Sequence, residues 1–329
     1  MLNPRQQAQS LNQAAEFCCY LDGQPDHLTP EHHLESYWTG DIAGHPLFWN
    51  QNCRLTRAGR LPREITGDAE IPGSFADMEN MAWVRNPTTG ALSPFWLGPK
   101  MQSMLESVQD GESVPHFNEC HKRSLVLAGV LVSENQERIR NERQRAMLSR
   151  AANEVRRKGY APVAELIHPF QISALRRYFR YCVRTGKFTL GDRQSPQRYH
   201  AHNDSVAQFF HFQLTKTVSM IVGQPVKPSY VYFASYQEGA CLEKHTDREQ
   251  CQFSISLCLD YSPEPTRQTP WPLQLHTPGG LTTVYQSIGD GLVYLGCQLP
   301  HSRGHLPSGH TSTSIFFHYV PQDFNGTLV

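Results

Sequence analysis

Beyond residue 228 the chain breaks into short runs rich in β-branched and aromatic residues, at 230–236, 252–259, 272–276, 281–286, 292–295 and 312–320, with Gly and Pro between them. Several short strands separated by turns predict an all-β sandwich or barrel in this part of the molecule. Upstream the texture is helical. Residues 169–183 form an amphipathic pattern with Pro169 in the first turn, and 204–222 carry Val206, Phe209, Phe210, Phe212 and Leu214 among their apolar positions. Residues 133–136, Ser-Glu-Asn-Gln, read as a capping box for a long Arg- and Glu-rich helix that Gly159 ends. The charge of that helix marks a solvated face or a docking face for an acidic partner. Residues 160–166 read as a short strand. The apolar run 125–132 is a strand or the start of a helix, since periodicity cannot decide for so few residues.

Residues 1 to about 115 are rich in Pro, Gly, Asn and Trp, including Trp38, Trp49, Trp83 and Trp96, and 85–90 reads as a turn. Short helices and hairpins are expected there. The predicted organisation is α+β: an N-terminal accessory or substrate-recognition region at 1–130, and a second region at 131–329 with its β core at about 228–322.

One stretch inside the β region carries chemistry. His245 and Asp247 stand two apart, and alternate residues of a strand point to one side. A further histidine, His301, follows Pro300 after a run that reads as a turn and a strand. Two histidines and one carboxylate can hold a ferrous ion by one face and leave its other positions open. Strands that bring three such ligands to one mouth suit an antiparallel jelly-roll barrel. His-x-Asp alone is a short pattern, and the chain repeats it at His202 and Asp204, where Asp204 reads better as a helix N-cap. His305 and His310 are alternatives to His301, and His318 reads as a satisfied strand histidine.

The spacing Tyr236-x-x-Gly239-x-x-Leu242-x-x-His245-x-Asp247, then Gly289-Asp290 and Pro300-His301, resembles the Fe(II)/2-oxoglutarate-dependent dioxygenases, in particular the prolyl-hydroxylase-like branch. The resemblance covers about residues 159–322. It implies a double-stranded β-helix (jelly-roll) core with flanking helices, here behind an N-terminal extension. It implies iron ligation by His245, Asp247 and His301, and 2-oxoglutarate and O2 as co-substrates, with Tyr236 lining the co-substrate pocket or simply packing in the core. The implied activity is hydroxylation of a C–H bond in a peptide or amino-acid-derived substrate, in keeping with natural-product maturation.

The chain departs from that family where the far carboxylate of 2-oxoglutarate would be held. The usual Arg or Lys about ten residues after the second histidine is missing, and Gly309-His310-Thr311-Ser312 stand there instead. A carboxylate in a partly dry pocket needs charge-assisted donors. Arg303 is the leading candidate because a guanidinium holds a carboxylate bidentately. His310 with Thr311 and Ser312 is second, and Lys244, expected to point away along its strand, is third. The missing basic residue also keeps open a cupin-like metal-binding or sensory protein without oxidative turnover, and a non-oxidative zinc enzyme.

The remaining composition removes other classes. Thirty basic side chains balance thirty acidic ones, which argues against nucleic acid or an anionic membrane as partner. Nine cysteines, an odd count without a Cys-x-x-Cys pair, argue against a disulfide framework or zinc ribbon. The N-terminus lacks an apolar signal core and the longest apolar run is too short to cross a bilayer, so a cytoplasmic protein is expected.

Overall fold

The computed structural model describes residues 17–21, 25–37, 46–57, 80–109 and 117–328; Trp38 and the first sixteen residues lie outside these. The chain divides into two compact units, residues 1–145 with 168–178, and residues 146–167 with 179–329. This differs from the boundary expected at residue 130. The long helix that the capping box starts is continuous, and the division falls within it, so the sequence signal for a helix start is not a signal for a domain start.

The first unit contains α1 (Glu31–Tyr37), β1 (Phe48–Trp49), β2 (Cys53–Thr56), β3 (Asn80–Arg85), β4 (Leu92–Leu97), α2 (Pro99–Gln109), α3 (Glu119–Ala128), β5 (Leu131–Val132) and the start of α4 (Glu134–Lys158). Strands β2, β3 and β4 form an antiparallel meander. The expected turn joins β3 to β4: the Asn86 side-chain oxygen accepts from the backbone N–H of Thr88 and Thr89. The run 125–132 is both of its alternatives in succession. Gly129 adopts φ +77°, its N–H donates to Val126 O and that of Val130 to Leu125 O, so α3 closes in a left-handed cap and β5 follows. The capping box closes on one side only. Ser133 Oγ accepts from the Gln136 N–H at 3.3 Å, while Gln136 Oε1 has no partner among the described residues.

The second unit contains the end of α4, β6 (Tyr160–Val163), the end of α5 (Pro169–Arg184), β7 (Thr189–Leu190), β8 (Arg198–His202), α6 (Ser205–Val222), β9 (Val226–Tyr236), β10 (Leu242–His245), β11 (Phe253–Ser262), β12 (Leu273–Thr277), β13 (Gly280–Val284), β14 (Gly291–Tyr294), β15 (His301–Arg303) and β16 (Thr311–Pro321). All its strand pairs are antiparallel. One sheet has the order β6-β14-β11-β16-β9-β8-β7 and the other β10-β15-β12-β13. Along the chain β9, β11, β14 and β16 belong to the first sheet and β10, β12, β13 and β15 to the second, so the chain crosses repeatedly between them. Leu273, Leu275 and Val284 of the smaller sheet pack with Leu292 and Tyr294 of the larger one.

The larger sheet inverts the usual sense of an amphipathic strand. Ile255, Leu257 and Leu259 alternate with Ser254, Ser256 and Cys258, yet both sets are buried. The odd set shares its face with Phe233, which stacks on Phe179 of α5, and with Phe317 and Tyr319, which pack on His211 of α6. The even set shares its face with Tyr230, Tyr232, Phe316 and His318 through the pairings Ser254↔His318, Ser256↔Phe316, Tyr232↔Phe316 and Tyr230↔His318. The hydrophobic face is therefore covered by helices, and the polar and aromatic face looks into the space between the sheets. Asp204 caps α6 by accepting from the N–H of Val206 and Ala207, the role expected of it. Among the described residues no helix is long and apolar enough to cross a membrane, and all nine cysteines are free thiols.

Candidate metal centre

Pairing between two very short strands brings the histidines together. His245, the last residue of β10, stands directly opposite His301, the first of β15, with ring centroids 4.4 Å apart. Asp247 arrives differently from the sequence expectation. The strand ends at His245, so alternation does not aim the carboxylate. Its backbone N–H instead donates to Gly296 O at 3.0 Å, which turns the chain beyond β10 back toward the site. Gly296 has to be glycine, since a Cβ there would lie 2.3 Å from Asp247 Oδ2 and 2.4 Å from Cys251 O.

The donor atoms are already oriented. His245 Nδ1 lies 2.8 Å from Glu243 O and His301 Nδ1 lies 3.0 Å from Leu299 O, so each ring donates its Nδ1–H to a backbone carbonyl. That tautomer leaves Nε2 of each as a lone-pair donor. The two Nε2 atoms lie 3.9 and 3.6 Å from Asp247 Oδ1, and the three ligand atoms fall within 4.8 Å of one another. Asp247 Oδ2 accepts from Ser254 Oγ at 3.2 Å. Burial pushes the His301 imidazole below its usual range, although the Asp247 charge pulls it up. Two neutral imidazoles and a carboxylate, pinned from behind and converging in front, fit a divalent transition-metal ion by donor type and number.

The triad opens into a cavity of about 500 Å³ between the sheets. Tyr230, Tyr232, Tyr236, Tyr294 and Phe316 supply aromatic walls, and His202, Arg248 and His318 share the lining. On the far wall Arg198 pairs with Asp192, stacks on the rings of Tyr232 and Tyr236, and donates to Tyr236 Oη at 3.1 Å. Asp192 also accepts from the Tyr232 hydroxyl at 2.5 Å and from the N–H of Gln194 and Ser195. Partial burial would raise its carboxyl, but the Tyr232 hydroxyl, Arg198 and the Ser195 N–H hold it well below the usual range.

Among the other expected residues, Tyr236 lines the cavity and Arg303 does not. Arg303 lies deeper, two residues from His301 on the same buried side of β15. Its guanidinium sits 4.7 Å from the Trp271 ring centroid, donates to Trp271 O and approaches Gln286 Oε1, and has no ion-pair partner among the described residues. Ser256 Oγ, buried on the inner face, also lacks a hydrogen-bond partner among the described residues, and Gln286 links the two by donating to Ser256 O. His310 is engaged through Nδ1 by the Tyr261 hydroxyl at 2.8 Å. Thr311 pairs with Ser262, and Ser312 with Tyr236 and Tyr261; neither they nor His310 line the cavity. Lys244 and His305 are exposed, and His305 Nδ1 meets Gly239 O. His202 lines the cavity, but Asp204 is spent on its helix cap. Sequence reading missed Asp192, Arg198, Tyr230, Tyr232, Ser254, Tyr261 and Tyr294; the serine–apolar alternation of 253–259 was the one visible sign of a polar inner face.

No protein-family model matches the chain, and no curated protein matches it. Solved structures do resemble part of it. A Pseudomonas putida prolyl-4-hydroxylase is similar at a TM-score of 0.44 and 18% identity, over 54% of this chain and 100% of that one. A Trichoplax adhaerens prolyl hydroxylase, solved with a hypoxia-inducible-factor peptide fragment, scores 0.46 at 10% identity over 55% and 92%. HygX from Streptomyces hygroscopicus, solved with nickel and 2-oxoglutarate, scores 0.43 at 12% identity over 53% and 87%.

Proposed function

We propose that this chain is a non-haem Fe(II)- and 2-oxoglutarate-dependent oxygenase that hydroxylates a C–H bond of a peptide or amino-acid-derived substrate. The alternation of β9–β16 between two antiparallel sheets supports reading the second unit as a double-stranded β-helix, or jelly roll. The observation that carries the proposal is the convergence of His245 Nε2, His301 Nε2 and Asp247 Oδ1, with both Nδ1–H groups fixed on backbone carbonyls.

When bound, ferrous iron with the 2-oxo acid and O2 supplies the oxidising power that an unactivated C–H bond demands. The protein's part is placement. His245, Asp247 and His301 would hold the ion, and the cavity would admit the co-substrate and substrate beside it. Arg303 offers a buried guanidinium, without a carboxylate partner among the described residues, for the far carboxylate of the co-substrate. Tyr236 sits between Arg198 and Trp271 as a wall of that pocket. Tyr230, Tyr232, Tyr294 and Phe316 keep water from the reacting centre. The cavity suits a side chain or a small molecule, in keeping with a role in natural-product maturation.

Purified protein supplied with Fe(II), 2-oxoglutarate and air is expected to form succinate, and Arg303→Ala to need a much higher 2-oxoglutarate concentration at unchanged iron content. A second reading, metal binding without turnover, is favoured by the absence of Arg303 from the cavity lining. Metal uptake without succinate, with or without candidate substrates, and without 2-oxoglutarate binding would select it.

A further inference from the structure

His318 closes one side of the cavity, and its ring reaches the metal centre through one serine. Ser254 Oγ lies 2.9 Å from His318 Nδ1, 3.2 Å from Asp247 Oδ2 and 3.3 Å from Cys251 O. A hydroxyl has one hydrogen to give. The carboxylate and the backbone carbonyl can only accept, so when the hydroxyl hydrogen goes to either of them His318 is the donor to Ser254. In the arrangement that reaches the metal centre, His318 Nδ1–H donates to Ser254 Oγ and Ser254 O–H donates to Asp247 Oδ2, a carboxylate that the Tyr294 hydroxyl also meets. The register sets this geometry, since Ser254 and His318 are direct partners across β11 and β16. The bond to Oδ2 orients the carboxylate and leaves Oδ1 facing both imidazoles.

Asp247, Cys251 and His318 also have the spacing of a separate metal site. Of these three, the Cys251 thiol is already engaged, its Sγ lying 3.1 Å from the Tyr230 hydroxyl.

We infer that His318 and Ser254 are positioning residues for the metal, acting as a relay that fixes the Asp247 carboxylate. The inference rests on the reading of His245, Asp247 and His301 as ligands. Outer groups that orient a ligand typically change metal affinity 10–100-fold.

The test is Co(II) titration of the metal-free full-length chain against a chromophoric chelator, with the visible spectrum of bound Co(II) and the urea unfolding midpoint read on each sample. Ser254→Ala and His318→Phe are each expected to weaken Co(II) binding by about 10–100-fold and to alter its spectrum. The double variant should be no weaker than the poorer single one, because both break one chain of bonds. Ser254→Thr and His318→Asn, which keep a hydroxyl and a donor, should restore binding. A merely structural role would move the unfolding midpoint and leave affinity and spectrum alone, and that result overturns the inference. So does wild-type affinity in both Ser254→Ala and His318→Phe while His245→Ala loses the ion. Tight Co(II) binding by His245→Ala would instead strike the ligand assignment beneath it. Two Co(II) equivalents, the second lost in Cys251→Ala, would give His318 to a second ion and overturn the relay.

Discussion

The burial of Arg303 is costly to the fold, and the proposed function would use it in the site. A guanidinium removed from water without an anion is stabilised only by its hydrogen bonds and by the Trp271 ring, and apolar groups of similar volume often replace buried charges at no cost. Burial pulls its pKa below the usual arginine range. Arg303→Met is therefore expected to leave thermal stability unchanged or raised while abolishing 2-oxoglutarate binding; a marked fall in melting temperature would make Arg303 a structural residue. Asp204→Ala should cost about 1 kcal/mol in urea unfolding by removing the α6 cap, with metal binding untouched, and metal loss would revive the His202 copy of the motif. At this scale, residues marked by a short local motif stood out. His245, Asp247 and His301 stand out by spacing, and Asp204 by its place before a helix. Ser254 and His318 did not, because the register of β11 against β16 makes them partners 64 residues apart, and one sequence does not state register.

Among the elements, the two that matter most were the hardest to read. β10 has four residues and β15 three, and neither shows an alternating apolar pattern. They are strands because they pair with each other, and that pairing puts His245 opposite His301. The longer strands β9, β11 and β16 were legible from their β-rich composition, yet their apolar side faces the helices rather than the cavity. The turn after β14 carries a sharper constraint. Gly296→Ala would drive a methyl group into Asp247 Oδ2 and Cys251 O, so metal affinity should fall by at least about tenfold, as for loss of an orienting contact. Unchanged affinity would mean that the segment after β10 can shift freely, against the account of how Asp247 is placed.

For the whole molecule, buried histidines set an acid limit in both units. Burial holds His168 in the first unit and His211 in the second down at about 3, where the unfolded chain would titrate near 6.5. Below pH 6.5 the unfolded chain takes up protons that the folded one refuses, so the stability is present above that pH and is lost progressively toward pH 3. The loss is on the order of a few kcal/mol per histidine. Urea unfolding followed from pH 7 to 4 should show it, and His211→Gln should flatten the slope; a slope unchanged by that variant would remove His211 from the account. The central claim, that His245, Asp247 and His301 hold an ion open to a chelating 2-oxo acid, is tested most directly by visible absorption under anaerobic conditions. Adding 2-oxoglutarate to the Fe(II)-loaded chain should produce a charge-transfer band, absent in His245→Ala and shifted to higher 2-oxoglutarate concentration in Arg303→Ala. Stoichiometric Fe(II) with no band at any 2-oxoglutarate concentration would contradict it.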